Sequence, residues 1–286
     1  MKVYTLGLYE KAMPENLSFK EKLLHTGEAG YDCLEISIDE TEQKLSRLYM
    51  SKQERLELVK LMYETGVPIR TMCLSGHRKY PLGSIDEETS VRGIKIMELA
   101  IELAEDLGIR LIQLAGYDVY YETSTEDTRK RFAYNLDRAV RMAACAGVML
   151  GFETMETEFM NTVRKSMGYV NLIQSPYLNV YPDTGNLVNA AYAYHTDVLE
   201  DLFCGKGHIT ALHLKESLPG IFREVPYGSG HVPFEQMIEK AWSLGVRKYT
   251  AEFWYKGNSR WREDLESVCF MMRSFLDKLA DEERYP

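Results

Sequence analysis

Positive charge is in short supply: 34 Lys and Arg stand against 43 Asp and Glu, for a formal net charge of −9. A non-specific nucleic-acid binder is thereby excluded, because its affinity rests on cations that neutralise phosphates. A small anionic substrate needs only a local cationic cluster and stays open. No apolar run is long enough to span a membrane, and the first strand begins almost at once with no signal peptide, so a cytoplasmic protein with no membrane partner is expected. The five cysteines (Cys33, Cys73, Cys145, Cys204 and Cys269) are scattered, odd in number and form no C-x-x-C pair. Buried reduced thiols in a reducing compartment are expected of them. The chain also lacks a Gly-rich phosphate turn after its first strand, which argues against an open doubly wound sheet. No linker or shift of composition divides it, so residues 1–286 are expected to form one domain.

What is present is a regular alternation. Val3–Tyr9 reads as a strand, and Ser18 as the N-cap of a helix with Phe19, Leu23 and Leu24 on one face, ending near Gly30. Cys33–Ile38 is a second strand with Glu35, Ser37 and Asp39 sharing a face. Ser51-Lys52-Gln53-Glu54 opens a helix to Gly66 as a capping box. Pro68–Leu74 is followed by a helix from Asp86 to Leu107, and Leu111–Ala115 by one from Thr125 to Ala146. Further helices are expected over 161–174, 194–204, 234–244 and 261–280. Eight βα repeats, 45% hydrophobic residues and strands rich in Val, Ile, Leu and Phe point to an α/β fold, a single (β/α)8 barrel of the TIM type.

The last four strands each deliver an ionisable residue at the C-terminal end. Val148–Phe152 leads to Glu153; Asn179–Pro182 leads to Asp183 and stops in a Thr184-Gly185-Asn186 turn; His208–Glu216 carries His213; Tyr249–Trp254 carries Glu252. The intervals between the four are 30, 30 and 39 residues, about one βα unit each. In a barrel that end holds the active site. A single acid ending a strand is often no more than a helix cap, and a single His no more than a hydrogen-bonded core residue. Three carboxylates and an imidazole on one rim are another matter, because burying them together is costly unless a cation or a proton neutralises them. A divalent metal site of mixed oxygen and nitrogen donors is therefore expected, suited to Mn2+ or Zn2+, with Co2+ or Mg2+ also compatible.

Longer stretches narrow the reading. Met72-Cys73-Leu74-Ser75-Gly76-His77-Arg78, Ile112-Gln113-Leu114-Ala115-Gly116-Tyr117-Asp118-Val119-Tyr120-Tyr121, Tyr181-Pro182-Asp183-Thr184-Gly185-Asn186 and Leu212-His213-Leu214-Lys215 closely resemble the L-ribulose-5-phosphate 3-epimerases, also called L-xylulose-5-phosphate 3-epimerases. The resemblance runs from Gly7-Leu8-Tyr9-Glu10-Lys11-Ala12 to Ala251-Glu252-Phe253-Trp254. It implies a xylose-isomerase-like barrel and a role in L-ascorbate and related pentose catabolism. It further implies metal ligation by Glu153, Asp183, His213 and Glu252, with Glu153 and Glu252 doubling as the catalytic proton-transfer pair. One departure stands at Pro233, where the family carries Asp; the position opens a helix, so the change is expected to bear on capping.

Epimerising C3 of a 2-ketose requires removal of a proton alpha to the C2 carbonyl and its return on the opposite face, so two acid/base groups must flank that carbon. The phosphate of such a substrate needs cationic partners. His77, Lys215 and Arg223 are the substrate-binding candidates, with Arg78, Lys79, Lys256 and Arg260 behind them. Arg223 precedes Tyr227-Gly228-Ser229-Gly230, read as a flexible loop able to close over a substrate, and Tyr117, Tyr120 and Tyr121 either roof the pocket or pack between loops. The partner is a small sugar phosphate, with a homodimer admissible. The alternative function is an aldose–ketose isomerase acting on a hexulose phosphate or a related sugar, which the metal ligands alone do not separate from an epimerase. An abasic-site endonuclease would want more His ligands and a basic face than six His and this charge provide.

Overall fold

In a computed structural model, which describes residues 2–284, eight parallel strands form one sheet. They are β1 Thr5–Tyr9, β2 Cys33–Ile38, β3 Ile69–Leu74, β4 Leu111–Ala115, β5 Met149–Glu153, β6 Leu178–Val180, β7 Leu212–Leu214 and β8 Lys248–Ala251. Their order, β6-β5-β4-β3-β2-β1-β8-β7, curls so that β6 meets β7. That seam is closed by two isolated parallel bridges, Val180 to Ile209 and Asp183 to His213. The expected eight-stranded barrel is therefore present, with its two shortest strands at the join.

The helices begin where capping side chains allow. Ser18 and Ser51 form capping boxes with Glu21 and Glu54, opening Phe19–Glu28 and Lys52–Thr65. Asp86 and Thr125 cap Glu87–Leu107 and Glu126–Ala146. Gly66, Gly108 and Gly147 end helices in the left-handed conformation that costs other residues strain. Helices Val163–Ile173, Phe234–Ser243 and Trp261–Arg284 follow the expected spans. Pro233 occupies the N-cap of Phe234–Ser243 with no side-chain hydrogen bond, so the position is a capping one. Their apolar faces pack on the strands in one continuous core that includes Leu6, Ile36, Met72, Ile112, Leu150 and Leu212. Cys33, Cys73 and Cys269 are buried free thiols, whereas Cys145 is exposed.

One expectation is corrected. The residues after Asp183 were read as a Gly/Asn turn and the next helix was placed at 194–204; instead Thr184–Tyr194 is itself a helix, followed by the short Val198–Phe203. Asp183 makes the difference, since its carboxylate accepts the Asn186 backbone N–H at 2.7 Å and nucleates a helix that Gly and Asn would otherwise disfavour.

Just past β1, Glu10 is fully buried among three cations. Arg47 donates to both of its oxygens at 2.8 Å, Lys44 pairs with it directly and Lys22 stands 3.7 Å away. Burial alone would raise its pKa, but Arg47, Lys22 and Lys44 hold it below the ordinary 4.5. A carboxylate with a depressed folded-state pKa stabilises above its unfolded value, and that contribution is lost as pH falls through the folded one. Glu10→Gln is expected to cost about 3–5 kcal/mol at pH 7, because it leaves buried cations uncompensated. The gap from wild type in urea denaturation should narrow as the pH drops below 4.5. A gap that stays constant down to acid pH would show that Glu10 does not act through its charge.

Candidate metal and active site

Glu153 is the last residue of β5, His213 lies in the middle of β7, and Asp183 and Glu252 stand just beyond β6 and β8. All four are buried. One ligand atom from each lies within 4.8 Å of the others. The four residues that the spacing singled out are thus gathered at one point of the barrel mouth.

The imidazole of His213 is fixed on both sides. Its Nε2 lies 2.6 Å from Glu35 Oε1, deep in the barrel, which leaves Nδ1 facing the carboxylates: Glu252 Oε2 at 2.8 Å and Glu153 Oε1 at 3.9 Å. Gln113 Nε2 stands 3.1 Å from the same Nδ1. Glu35 is in turn held by the Tyr181 hydroxyl at 3.0 Å, and that hydroxyl also meets Thr250 Oγ1 at 2.7 Å. Tyr181 has room to cross the barrel because β5 carries Gly151, where a Cβ would come within 3.0 Å of the Tyr181 Cβ. A carboxylate behind a ligating histidine fixes its tautomer and raises its basicity. Glu35 and Gln113 were not among the sequence candidates. The available signal was a charged or polar residue inside an apolar strand, which is expensive to bury without a partner.

Asp183 Oδ1 accepts from Lys215 Nζ at 2.9 Å as well as from the Asn186 backbone, while its buried Oδ2 has no hydrogen-bond partner. Such an orphaned oxygen beside two other carboxylates fits a cation-binding role. The electrostatics agree. Burial and the charge of Glu252 push the Glu153 pKa up to about 8. Asp183 rises to about 7 through burial, against the pull of Lys215. Burial would raise Glu252 too, but Lys215 and His213 hold it far below the usual range. Burial opposes the charged form of His213, yet Glu35 and Glu252 raise its pKa well above 6.5. Without a metal the cluster therefore relies on protons, which a divalent cation would displace.

The other candidates fall in different places. Lys215 is buried at the base of the cleft, bonded to Asp183 and, at 3.0 Å, to Asn186 Oδ1. Arg223 lines the cleft, 3.4 Å from Glu156 and over the Trp254 ring. His77 is turned away. It is buried with Nε2 3.0 Å from the Gly93 carbonyl, and burial lowers its pKa to about 4. Its neighbour Arg78 lines the cleft instead. The segment read as a flexible loop is pinned: buried Glu216 accepts from the backbone N–H groups of Gly228 and Val232, both at 3.1 Å, and the Tyr227 hydroxyl bonds to the Leu214 carbonyl. Gly230 is required there, since a Cβ would sit 2.2 Å from Glu216 Oε1. Tyr117, Tyr120 and Tyr121 pack in sequence, Tyr117 tilted against Tyr120 at 5.1 Å between centroids and Tyr120 edge to face with Tyr121 at 5.0 Å.

Comparison with known proteins decides the family. The family described as xylose isomerase-like TIM barrel matches residues 25–273. L-ribulose-5-phosphate 3-epimerase UlaE of Shigella flexneri is 44% identical over 274 residues, 96% of this chain and 95% of that protein. The chain belongs to the L-ribulose-5-phosphate 3-epimerase family. The UlaE protein of Escherichia coli O157:H7 is likewise 44% identical, over 87% of each chain. Among solved structures, a D-tagatose 3-epimerase-like protein superposes with a TM-score of 0.78 at 16% identity over 97% of this chain and 99% of that one. An L-ribulose 3-epimerase gives 0.74 at 18% over 98% and 96%. At such identities these two establish the fold alone. As a member of this epimerase family the chain is an isomerase-class enzyme, and among the described residues no helix is long and apolar enough to cross a membrane.

Two outcomes follow from the cluster. Glu35→Gln, which leaves all four ligands in place, is expected to weaken divalent-cation affinity about 10–100-fold in chelator competition. Unchanged affinity would remove Glu35 from the role of orienting His213. Because Glu153 holds its proton in the folded state up to about 8 but loses it near 4.5 when unfolded, the metal-free protein should lose stability as pH rises between those values. Melting temperatures with EDTA should accordingly fall from pH 6 to pH 8, and added Mn2+ should raise them most at pH 8.

Proposed function

We propose that the chain interconverts L-ribulose 5-phosphate and L-xylulose 5-phosphate by inverting C3, in the cytoplasm, where phosphorylated sugars are retained. The observation that carries this reading is the 44% identity to UlaE that spans nearly the whole of both chains. The residues at the mouth suit the chemistry. A divalent cation held by Glu153, Asp183, His213 Nδ1 and Glu252 would polarise the C2 carbonyl and stabilise the negative charge that develops on its oxygen. Mn2+ or Zn2+ fits this donor set, with Co2+ or Mg2+ as further options.

The chain's own groups do the rest. Glu153 and Glu252 approach from β5 and β8, two strands that do not touch each other in the sheet, so a sugar between them can present opposite faces of C3 to the two carboxylates. Each then serves as base toward one epimer and as acid toward the other. Lys215 keeps Asp183 and Glu252 in place and balances their charge, while Arg223 is available to contact the substrate. Tyr9 and Trp254, edge to face at 6.3 Å, line the cleft with Met155 and limit the water that reaches the reacting carbon.

The test is isotopic. Glu153→Gln and Glu252→Gln should each lower net epimerisation at least about 10²–10⁴-fold, the range of a general acid–base contribution. In deuterium oxide one variant should still exchange the C3 proton of one epimer, and the other variant that of the other epimer. Metal content is measured alongside, so that lost occupancy is not mistaken for lost proton transfer. Near wild-type epimerisation in both fully loaded variants would defeat the mechanism. Proton NMR of the product separates the epimerase from an aldose–ketose isomerase.

A further inference from the structure

The cleft over the carboxylate cluster is too small for the sugar it is proposed to turn over. It encloses about 50 Å3, against the roughly 300–1,000 Å3 of sites that bury a small molecule. A wall must therefore move before C2 and C3 of a ketose phosphate can reach the cluster. Most of the walls are fastened. Tyr9 is held by Ser37 at 3.2 Å, Lys215 by Asp183 at 2.9 Å and Asn186 by the Thr154 carbonyl at 2.7 Å. Arg223 pairs with Glu156 at 3.4 Å, and Met155 is packed in a buried cluster with Ala115 and Tyr117.

Trp254 differs from these walls in two respects. Its indole N–H makes no hydrogen bond to any described residue. The half-buried ring has the Tyr9 ring at 6.3 Å between centroids and the Arg223 guanidinium at 6.0 Å as its ring contacts. The second respect is the empty space behind it. Besides the cleft, Trp254 lines two further cavities, of about 380 and 310 Å3. A cavity of about 150 Å3 already takes a benzene ring, so either has the volume for an indole. Their chemistry separates them. The larger is lined by Val225, Pro226, Phe253, Val268 and Met271. The smaller is walled by Glu10, Lys11, Lys22, Asp39 and Lys44, whose charges an indole would strip of water. The backbone on either side of Trp254 is tied, the Glu252 N–H donating to the Leu214 carbonyl and the Tyr255 N–H to the Lys11 carbonyl, both at 2.8 Å. Movement is thereby confined to rotation of the side chain, and Glu252, two residues away, keeps its place.

We propose that Trp254 is the movable wall of the active site: its indole turns out of the cleft into the apolar cavity between Val225, Phe253 and Met271 when the substrate enters, and returns when it leaves. This rests on the function proposed above. Ser267 lines the receiving cavity from an exposed position on the helix Trp261–Arg284 and does not line the cleft, so Ser267→Phe fills that cavity without touching the cluster. Its effect on turnover of L-ribulose 5-phosphate is measured in the wild-type and in the Trp254→Ala background, with melting temperature as the folding control. Ser267→Phe should raise KM at least about 10-fold in the wild-type background, the scale of overpacking the space the indole must enter. It should leave KM unchanged in the Trp254→Ala background, where no indole needs the cavity. Any other pattern, an equal rise in both above all, overturns the proposal. Ser267→Leu takes its place if Ser267→Phe does not fold. Should wild type turn over no L-ribulose 5-phosphate, the proposed function fails on its own and binding decides the movement. In Zn2+-loaded protein labelled with 5-fluorotryptophan, the Trp254 19F resonance is identified by its loss in Trp254→Phe. L-ribulose 5-phosphate should shift it in wild type and leave it in place in Ser267→Phe. A resonance that stays put in wild type, or moves equally in both, overturns the proposal, and the same measurement decides if Trp254→Ala does not fold.

Discussion

Charge that the barrel mouth cannot neutralise by itself is the constraint around which this structure is arranged. Glu153, Asp183 and Glu252 are buried within reach of one another, and a single lysine, Lys215, stands among them. With His213 neutral, as a metal ligand must be, the set carries two uncompensated negative charges, which is what one divalent cation supplies. A proton on Glu153 is only a partial remedy, and its raised pKa measures how poor a remedy it is. Like charges in a low-dielectric interior repel far more strongly than in water. The site is therefore held ready for a cation by repulsion that the rest of the fold restrains.

The restraint comes from the layer beneath and from the seam. Under the cluster, Glu35, Tyr181 and Thr250 form a hydrogen-bonded plug that grips His213 from below. At the rim, β6 and β7 are only three residues each and meet through two bridges, one of which joins Asp183 to His213 directly. Two of the four proposed ligands are thus paired across the weakest join of the barrel. Thr184 strengthens the same join, its hydroxyl exchanging hydrogen bonds with the backbone of Lys215 at 2.9 and 2.8 Å. A cation bound here would close the barrel as well as serve the chemistry, which ties metal binding to folding stability.

The contrast between what the sequence revealed and what it concealed has a physical basis. Glu153, Asp183, His213 and Glu252 were legible because each closes or follows an apolar run at βα spacing, and the barrel places all such positions at one end. The capping boxes at Ser18 and Ser51 were legible because capping is local. Glu35 and Gln113 were not, since they sit within β2 and β4 and acquire meaning only when closure brings them to His213 from residues 100 and more positions away. The helix after Asp183 was hidden by its own composition: Gly185 and Asn186 signal a turn, and a tertiary demand on Asp183 overrides that propensity. His77, Arg78 and Lys79 follow β3 together as candidates for the phosphate, yet a 3-10 turn gives adjacent residues different faces, and only the backbone tells which one meets the cleft.

The placement of the two glutamates also bears on the choice between epimerase and isomerase, which the ligand set leaves open. An aldose–ketose isomerisation moves a proton between adjacent carbons, and one base on one face of the sugar suffices for it. Inversion at a single carbon needs proton transfer on both faces. Glu153 and Glu252 stand on β5 and β8, with β6 and β7 between them around the barrel, and both reach the same point at the mouth. A cation would need both carboxylates to converge whichever reaction follows, but the surroundings of the two are unlike. Glu252 is held ionised by Lys215 and His213, while Glu153 is driven toward its protonated form. In the metal-free protein, then, two carboxyl groups of the same residue type are pushed in opposite directions by their surroundings. Carboxylates converging from two non-adjacent strands are compatible with inversion at C3, and it is the relatives, not the ligand set, that separate this reaction from isomerisation.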